Sequence, residues 1–485
     1  MEGRIEELVK SYFEKKGLPW RPALTFSDVS IITKFSDVSR RSDLNNFRVN
    51  LSKNFVLNIP VVSANMEDVT GAKMAIALAR LGGLGFIHQF FPIEERVRRV
   101  EKVKRADNAL IENPVKILDT ANFSEAKQLM KTYDVSSVLV VDCYNNLLGI
   151  ITSRDYRFKN DDFLPVRSVM KPMPLVVAGL NISREEAEEV LDRLKIEKLP
   201  LVDDKNKLAG LITARDMLKE KEFPNALRDK KGRLCVGAAV GVSGNYLSEA
   251  EKLLAAGADV ILVDTARAGS VVAAEAVRAI REKFPEAVIA VGNIDNPEHV
   301  PILVKVGADC IKIGVGPGAR CKTRVVAGVG APQIYAVSAC SAIAKQLGVS
   351  IIADGGIRDS GDFAKALVAG ADAVMIGSLL AGTDEAPGLL IRKENRLEKQ
   401  YRGSASREYQ SERKQRGTLG EIKNPEGESA PVPYAGSVSD VIGGLIDGIR
   451  SSMSYVGARN LKEYWERTEF LWISNGGYEE GKPRI

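Results

Sequence analysis

The residue types best suited to covalent chemistry are gathered in one short stretch, Gly314-Val315-Gly316-Pro317-Gly318-Ala319-Arg320-Cys321-Lys322-Thr323-Arg324. Its glycines permit tight turns and close approach to a ligand. Its cysteine stands among Arg320, Lys322 and Arg324, the kind of cationic surroundings that activate a thiol, so Cys321 is the leading nucleophile. Two further glycine turns, Asp354-Gly355-Gly356 and Gly377-Ser378, offer backbone N–H groups to an anion, and Asp354 is placed to accept from ribose hydroxyls. Only two histidines, His88 and His299, occur among 485 residues. That scarcity argues against a histidine triad or a His-rich metal site. It leaves proton transfer to carboxylates, hydroxyls, tyrosine or arginine.

Such chemistry needs rigid elements beneath it, and two rhythms in the chain supply them. Three times a helical stretch ends in Gly-Ala-Asp and runs into an apolar strand, at Gly257–Asp259, Gly307–Asp309 and Gly370–Asp372. Glycine suits a helix C-terminus, and a continuous apolar run suits a strand buried on both faces. Strands of this kind are predicted at Ile59–Ser63, Leu84–His88, Val236–Val240, Val260–Asp264, Val288–Gly292, Cys310–Gly314, Ile351–Asp354 and Ala373–Gly377. Eight buried strands alternating with helices predict an α/β fold, a (β/α)8 TIM barrel, with a doubly wound sheet as the alternative. In a barrel the loops at the C-terminal ends of the strands carry the chemistry. The Cys321 loop follows the sixth strand, and the two glycine turns follow the seventh and eighth.

The second rhythm interrupts the first. Val138–Asp155, with its paired apolar runs and Thr-Ser-Arg-Asp end, recurs as Leu199–Asp216 at a constant offset of 61 residues. Each copy reads strand, polar turn, strand, then a helix opened near Thr-x-x-Asp, and amphipathic stretches Phe123–Tyr133 and Arg184–Leu194 precede them. This segment resembles tandem CBS domains, α+β modules that often bind adenine or guanine nucleotides. The resemblance covers 107–221 and divides the barrel into 1–106 and 222–485. It implies that Thr152, Asp155, Thr213 and Asp216 touch a nucleotide's ribose and phosphate, although the same residues also suit plain helix capping.

Composition narrows the classes. A net charge of +5 is small for this length, and the basic residues are dispersed among acidic ones, so a specific nucleic-acid partner is not expected. The N-terminus is charged and lacks an apolar signal core, and no apolar stretch reaches membrane-spanning length. Cysteines 143, 235, 310, 321 and 340 are scattered without CxxC spacing. These features predict a cytoplasmic protein with free thiols.

Gly314–Gly330, Asp354-Gly355-Gly356-Ile357-Arg358 and Gly382-Thr383-Asp384-Glu385-Ala386-Pro387-Gly388, set in a split barrel, resemble the IMP dehydrogenase/GMP reductase family over nearly the whole chain. The resemblance implies a covalent thioimidate between Cys321 and C2 of a purine mononucleotide, with hydride exchanged between C2 and a nicotinamide. By position, Met66 would contact the base, and Asp264 and Asn293 would lie toward the nicotinamide. Gly356, Gly377, Ser378 and Tyr401 would hold the 5′-phosphate, Thr323 and Glu385 would manage protons at C2, and Glu426 would face the base edge. Gly316, Gly318 and the Cys321 carbonyl would help coordinate a monovalent cation such as potassium. Residues 401–430 would form a mobile flap, and the family implies homotetramers that pair into octamers.

The family holds two activities, and the flap leans toward one. A dehydrogenase activates water to hydrolyse the intermediate, using an adjacent Arg-Tyr pair on the flap. Here Arg407 and Tyr409 are separated by Glu408, and Arg416 is followed by Gly417. Ala64-Asn65-Met66, Gly403-Ser404-Ala405-Ser406 and Arg450–Ala458 also resemble the reductase form. Tyr401-Arg402-Gly403, Pro425-Glu426-Gly427 and the inserted pair fit the dehydrogenase branch. The preferred expectation is GMP reductase using NADPH, the alternative IMP dehydrogenase using NAD, and the third reading a catalytically silent nucleotide sensor. Ala319 stands where a phosphate-binding serine is usual, and Arg267 or Lys322 is a candidate partner for the 2′-phosphate of NADP(H).

Overall fold

The computed structural model describes residues 23–483 apart from 108–109, 134, 156–162, 395, 418–420 and 422–424. These residues form two compact units. One contains the chain up to Val103, Asn225–Leu227 and the chain from Cys235 onward; the other contains Lys104–Pro224 and Arg228–Leu234.

The first unit is a closed barrel of eight parallel strands. They are β1 (Val61–Ser63), β2 (Leu84–Ile87), β3 (Gly237–Val240), β4 (Val260–Asp264), β5 (Val288–Ile294), β6 (Cys310–Ile313), β7 (Ser350–Asp354) and β8 (Ala373–Ile376). Every predicted strand is present, and pairing of β8 with β1 closes the ring and rules out the doubly wound alternative. Helices follow the strands: α1 (Ala72–Leu81), α2 (Ile93–Arg105), α3 (Tyr246–Ala255), α4 (Val271–Lys283), α5 (His299–Lys305), α6 (Gln333–Leu347), α7 (Ser360–Val368) and α8 (Val438–Val456). The strands are buried along their length because each packs inward on the barrel core and outward on helices, which is why they read as apolar runs without alternation.

The repeated Gly-Ala-Asp has a structural job at both ends of its tripeptide. Gly257, Gly307 and Gly370 adopt φ of 101°, 106° and 111°, the left-handed turn that ends the preceding helix. Each aspartate then accepts the backbone N–H near the start of the preceding strand: Asp259 from Val236 (2.7 Å), Asp309 from Ile289 (2.8 Å) and Asp372 from Ile351 (2.8 Å). The motif therefore stitches neighbouring strands at the end of the barrel opposite the catalytic loops. Its glycines and aspartates belong to stability.

The second unit carries two four-stranded sheets. One contains Lys116–Leu118, Ser137–Val141, Leu147–Thr152 and Lys171–Pro172, and the other Leu110–Ile111, Ala178–Gly179, Lys198–Val202 and Leu208–Thr213. The sequence repeat becomes reciprocal pairing: Leu147 N–H donates to Asn206 O, and Leu208 N–H donates to Asn145 O. Leu139, Val141, Leu147, Ile150, Leu208 and Leu211 form one buried cluster across the two copies. Neither copy buries this face alone, so the pair folds as one body.

Candidate active site

The loops after β1, β4, β6 and β7, with Asn293 near the end of β5, enclose a cleft of ≈ 250 Å³ at the C-terminal end of the barrel, and part of the chain after β8 lines it. Met66, Asp264, Asn293, Gly316, Gly318, Cys321, Thr323, Asp354, Tyr401 and Glu426 line it, so most of the site residues read from sequence converge in one place.

Cys321 is exposed in this cleft. The other two barrel-strand and helix cysteines are unsuited to attack: burial drives the Cys310 thiol far above its usual pKa and pushes that of Cys340 up to about 12. The Cys321 amide donates to Gly318 O (2.9 Å), and Gly316 at φ 90° supplies the turn before it. The cysteine loop is then zipped to a second segment. Lys322 N–H donates to Glu426 O (2.7 Å), Glu428 N–H donates to Arg320 O (3.1 Å), and Cys321 bridges Gly427 antiparallel. This pairing places Glu426 beside the nucleophile. Cys321 Sγ lies 3.2 Å from Thr323 Oγ1, which donates to Glu426 Oε2 at 2.8 Å. Sulfur, hydroxyl and carboxylate form a short proton path.

Glu385 is not part of that path, contrary to expectation. Its carboxylate accepts the N–H of Val438 (2.9 Å), the first residue of α8. A carboxylate at a helix N-terminus is favoured by the exposed N–H groups and the dipole, so the residue anchors α8 and Glu426 stands where Glu385 was expected. The cationic neighbours also need correction. Lys322 pairs with Glu428 (2.9 Å), and Arg320 lies near the same carboxylate (3.8 Å) while donating to Pro431 O (3.0 Å). Their charge is therefore shared with an acid that lies more than a hundred positions away in sequence.

Across the cleft, Lys312 organises the polar wall. Its side chain is only 3% exposed, yet Nζ lies 2.9 Å from Asp354 and 3.2 Å from Asp264, and it also donates to Asn293 Oδ1. Burial opposes the charge, but the two carboxylates more than offset it and hold its pKa above the ordinary lysine value. Asn293 Nδ2 donates to Gly314 O (2.7 Å) and Asp354 (2.9 Å), and Gln89 donates to Asp264 (3.1 Å). Gly314 must be glycine: at φ 147°, a Cβ would fall 2.0 Å from Asp354 O. A lysine inside the run Cys310-Ile311-Lys312-Ile313 was the signal for this residue. In sequence the apolar residues on either side of it mask that signal.

Tyr401 is buried, with its hydroxyl 3.6 Å from Met66 Sδ, and burial raises its pKa so that it stays protonated. Gly356, Gly377 and Ser378 are not among the residues that line the cleft. Gly377 faces Tyr401, Ala64 and Met66, and Gly356 packs toward Phe26 and Pro317. Arg267 is exposed beyond the lining, on the loop after β4. In the second unit, Thr152 and Asp155 hydrogen-bond each other at 2.8 Å, and Thr213 likewise pairs with Asp216. Thr213 Oγ1 also accepts the Asp216 N–H, which caps the following helix, and Asp155 accepts the Thr152 N–H. Within the expected flap, residues 418–420 and 422–424 lie outside the described residues.

The fold and site together are those of a TIM barrel with an exposed cysteine in the loop after β6, a threonine and a glutamate beside it, and paired carboxylates opposite. The chain belongs to the IMP dehydrogenase/GMP reductase family, whose domain model matches residues 23–484. It is 46% identical to inosine-5′-monophosphate dehydrogenase of Aquifex aeolicus strain VF5 over 95% of each chain. It is 44% identical to that of Bacillus subtilis strain 168, covering 98% of this chain and 96% of the relative. Among solved structures, a cysteine-to-alanine variant of GMP reductase from Trypanosoma brucei in complex with guanosine 5′-monophosphate superposes with a TM-score of 0.89 at 38% identity, covering 97% of this chain and 99% of that one. The protein is thus an NAD(P)-dependent oxidoreductase of purine nucleotides. No helix among the described residues is long and apolar enough to cross a membrane.

Proposed function

We propose that the chain is a GMP reductase, converting GMP and NADPH to IMP, ammonia and NADP. The observation that carries this reading is the state of the arginines after Tyr401. Arg402 is held by Asp68 (2.9 Å), Arg413 by Glu67 (3.0 Å) and Arg416 by Glu67 (2.6 Å). A guanidinium serves as a base only when its proton affinity is lowered. Despite burial, the hydrogen bonds to Asp68 hold that of Arg402 above its ordinary value, whereas burial lowers that of Arg413, whose guanidinium is nevertheless committed to Glu67. With no adjacent Arg-Tyr pair either, hydrolysis of a covalent intermediate lacks the arginine base of the dehydrogenase branch.

In this reading Cys321 Sγ bonds to C2 of GMP and the C2–amine bond breaks. Glu426, through Thr323 Oγ1, delivers the proton with which the amine leaves as ammonia. Asp354 holds the ribose and Met66 with Tyr401 the base, while Gly356, Gly377 and Ser378 receive the phosphate. Asp264 and Asn293, fixed by Lys312 on the open side of the cysteine loop, suit the nicotinamide end of a dinucleotide; when bound, that ring supplies the hydride. Arg267 and Lys322 are the candidates for the 2′-phosphate. A potassium ion would take the carbonyls of Gly316, Gly318 and Cys321, sharing the Gly318 oxygen with the Cys321 amide. The inserted pair reads as CBS modules for an adenine or guanine nucleotide, with Thr152, Asp155, Thr213 and Asp216 turning from their mutual bonds to the ligand. A cytoplasmic homotetramer or octamer completes the reading.

IMP dehydrogenase is the second reading, favoured by the names of relatives at 44–46% identity. One assay pair separates them: nicotinamide absorbance is followed with GMP plus NADPH, then with IMP plus NAD. Turnover in the first supports the reductase; turnover in only the second overturns it.

A further inference from the structure

Met66, on the cleft wall, is followed at once by Glu67 and Asp68, both buried. These two carboxylates fasten the helix Arg407–Gln415 and the turn before it. Glu67 Oε1 meets Arg413 Nε at 3.0 Å, and its Oε2 meets Arg416 Nη1 at 2.6 Å. Asp68 grips Arg402 at two points, 2.9 and 3.0 Å, and Glu412 ties Arg402 (2.6 Å) to Arg416 (2.9 Å). Two aromatic rings after β2 complete the seat, with Arg413 stacked 3.3 Å over Phe90 and Arg416 4.9 Å over Phe91. Arg413 Nη1 also donates to Ser404 O (2.7 Å), and Gly403, Ser404 and Ala405 are themselves cleft wall. The fastening therefore sets the position of residues that face the nucleophile.

Buried ion pairs are an inefficient source of stability, because desolvation consumes much of the Coulomb gain; what they do impose is one geometry. Three arginines committed to three carboxylates at this spot point to a selected closed position. We propose that Glu67, with Arg413 and Arg416, is a specificity-determining latch that decides how the covalent intermediate is resolved. The proposal rests on the GMP reductase reading above.

Once ammonia has left, C2 carries the Cys321 sulfur and is electrophilic. Hydride addition forms a C–H bond, the C–S bond breaks, the thiolate departs and IMP results. Water addition forms a C–O bond, Glu426 accepts a proton through Thr323, the C–S bond breaks and XMP results. The second route needs no oxidant and only requires water at C2. A seated 402–416 segment keeps the wall formed by residues 403–405 closed against it, so the hydride route prevails.

The test is product partition with the full-length enzyme, GMP and NADPH, separating IMP and XMP chromatographically and measuring ammonia against NADPH consumed. Wild type gives IMP with one NADPH oxidised per ammonia. Glu67→Gln and Arg416→Gln raise the XMP-to-IMP ratio at least tenfold and release ammonia in excess of NADPH oxidation; Arg416→Lys restores the wild-type ratio. Arg416 is partly exposed, so Arg416→Gln decides the matter if Glu67→Gln does not fold. Folded variants that make IMP with no gain in XMP overturn the latch. A wild-type enzyme that makes no IMP from GMP overturns the reductase reading instead, whatever the variants do.

Discussion

Replacing Lys312 by methionine keeps the volume of the side chain and removes one charge from between two others. The ammonium lies 2.9 Å from an Asp354 oxygen and 3.2 Å from an Asp264 oxygen, so those oxygens are within about 6 Å of each other. At an effective dielectric constant of ~20, two unit charges at that separation repel by roughly 3 kcal/mol, a factor of about 100 in an equilibrium constant. In the variant that repulsion is relieved by splaying the carboxylates or by binding a proton between them. Asp354 would receive the ribose and Asp264 the dinucleotide, so KM for both rises by roughly 100-fold at pH 8 while kcat falls much less. Lys312→Arg, which restores the charge, returns KM to within about fivefold of wild type. Steady-state kinetics of both variants read this. A Lys312→Met enzyme with KM unchanged, or a Lys312→Arg enzyme as impaired as Lys312→Met, refutes the bridging role.

Thr323→Ala and Glu426→Gln should each lower kcat by roughly 10²- to 10⁴-fold with KM little changed, because they act on proton movement at C2; stopped-flow ammonia release measures it. Glu385→Ala should do the opposite, leaving kcat/KM intact while costing about 1 kcal/mol of stability in a thermal melt, since it removes the carboxylate at the start of α8. His88 is fully buried, and desolvation together with Arg99, Arg413, Arg96 and Arg416 holds its pKa well below 6.5. The unfolded chain binds a proton there that the folded chain refuses. Stability is therefore complete above the unfolded pKa of about 6.5 and falls by up to ~1.4 kcal/mol per pH unit below it. His88→Gln should flatten that acid slope in melting temperature against pH.

The barrel was legible because both faces of every strand are buried, so periodicity vanished into apolar runs that chain order alone could count. The place of Cys321 in the cleft was legible because it sits in a glycine-rich loop at a strand end, two residues before Thr323. Glu426 and Glu385 were harder to tell apart. Both follow proline- or glycine-rich turns, and only the antiparallel bridge of Cys321 to Gly427 brings one of them to the sulfur. The latch of Glu67 and Asp68 was invisible for the same reason. Its partners lie more than 300 positions away, and acids and arginines at that separation read in sequence as solvated surface. Lys312 is a single charge inside an apolar strand, and only the closed barrel brings Asp264 and Asp354 to it.

The central claim, that the Cys321 sulfur bonds to purine C2, is tested most directly by mass spectrometry of enzyme quenched in acid after mixing with GMP and no nicotinamide. The account predicts a peptide containing Cys321 heavier by GMP less ammonia, and no adduct in Cys321→Ala, which is also inactive. Turnover of GMP by Cys321→Ala, or an adduct on any other residue, would contradict it.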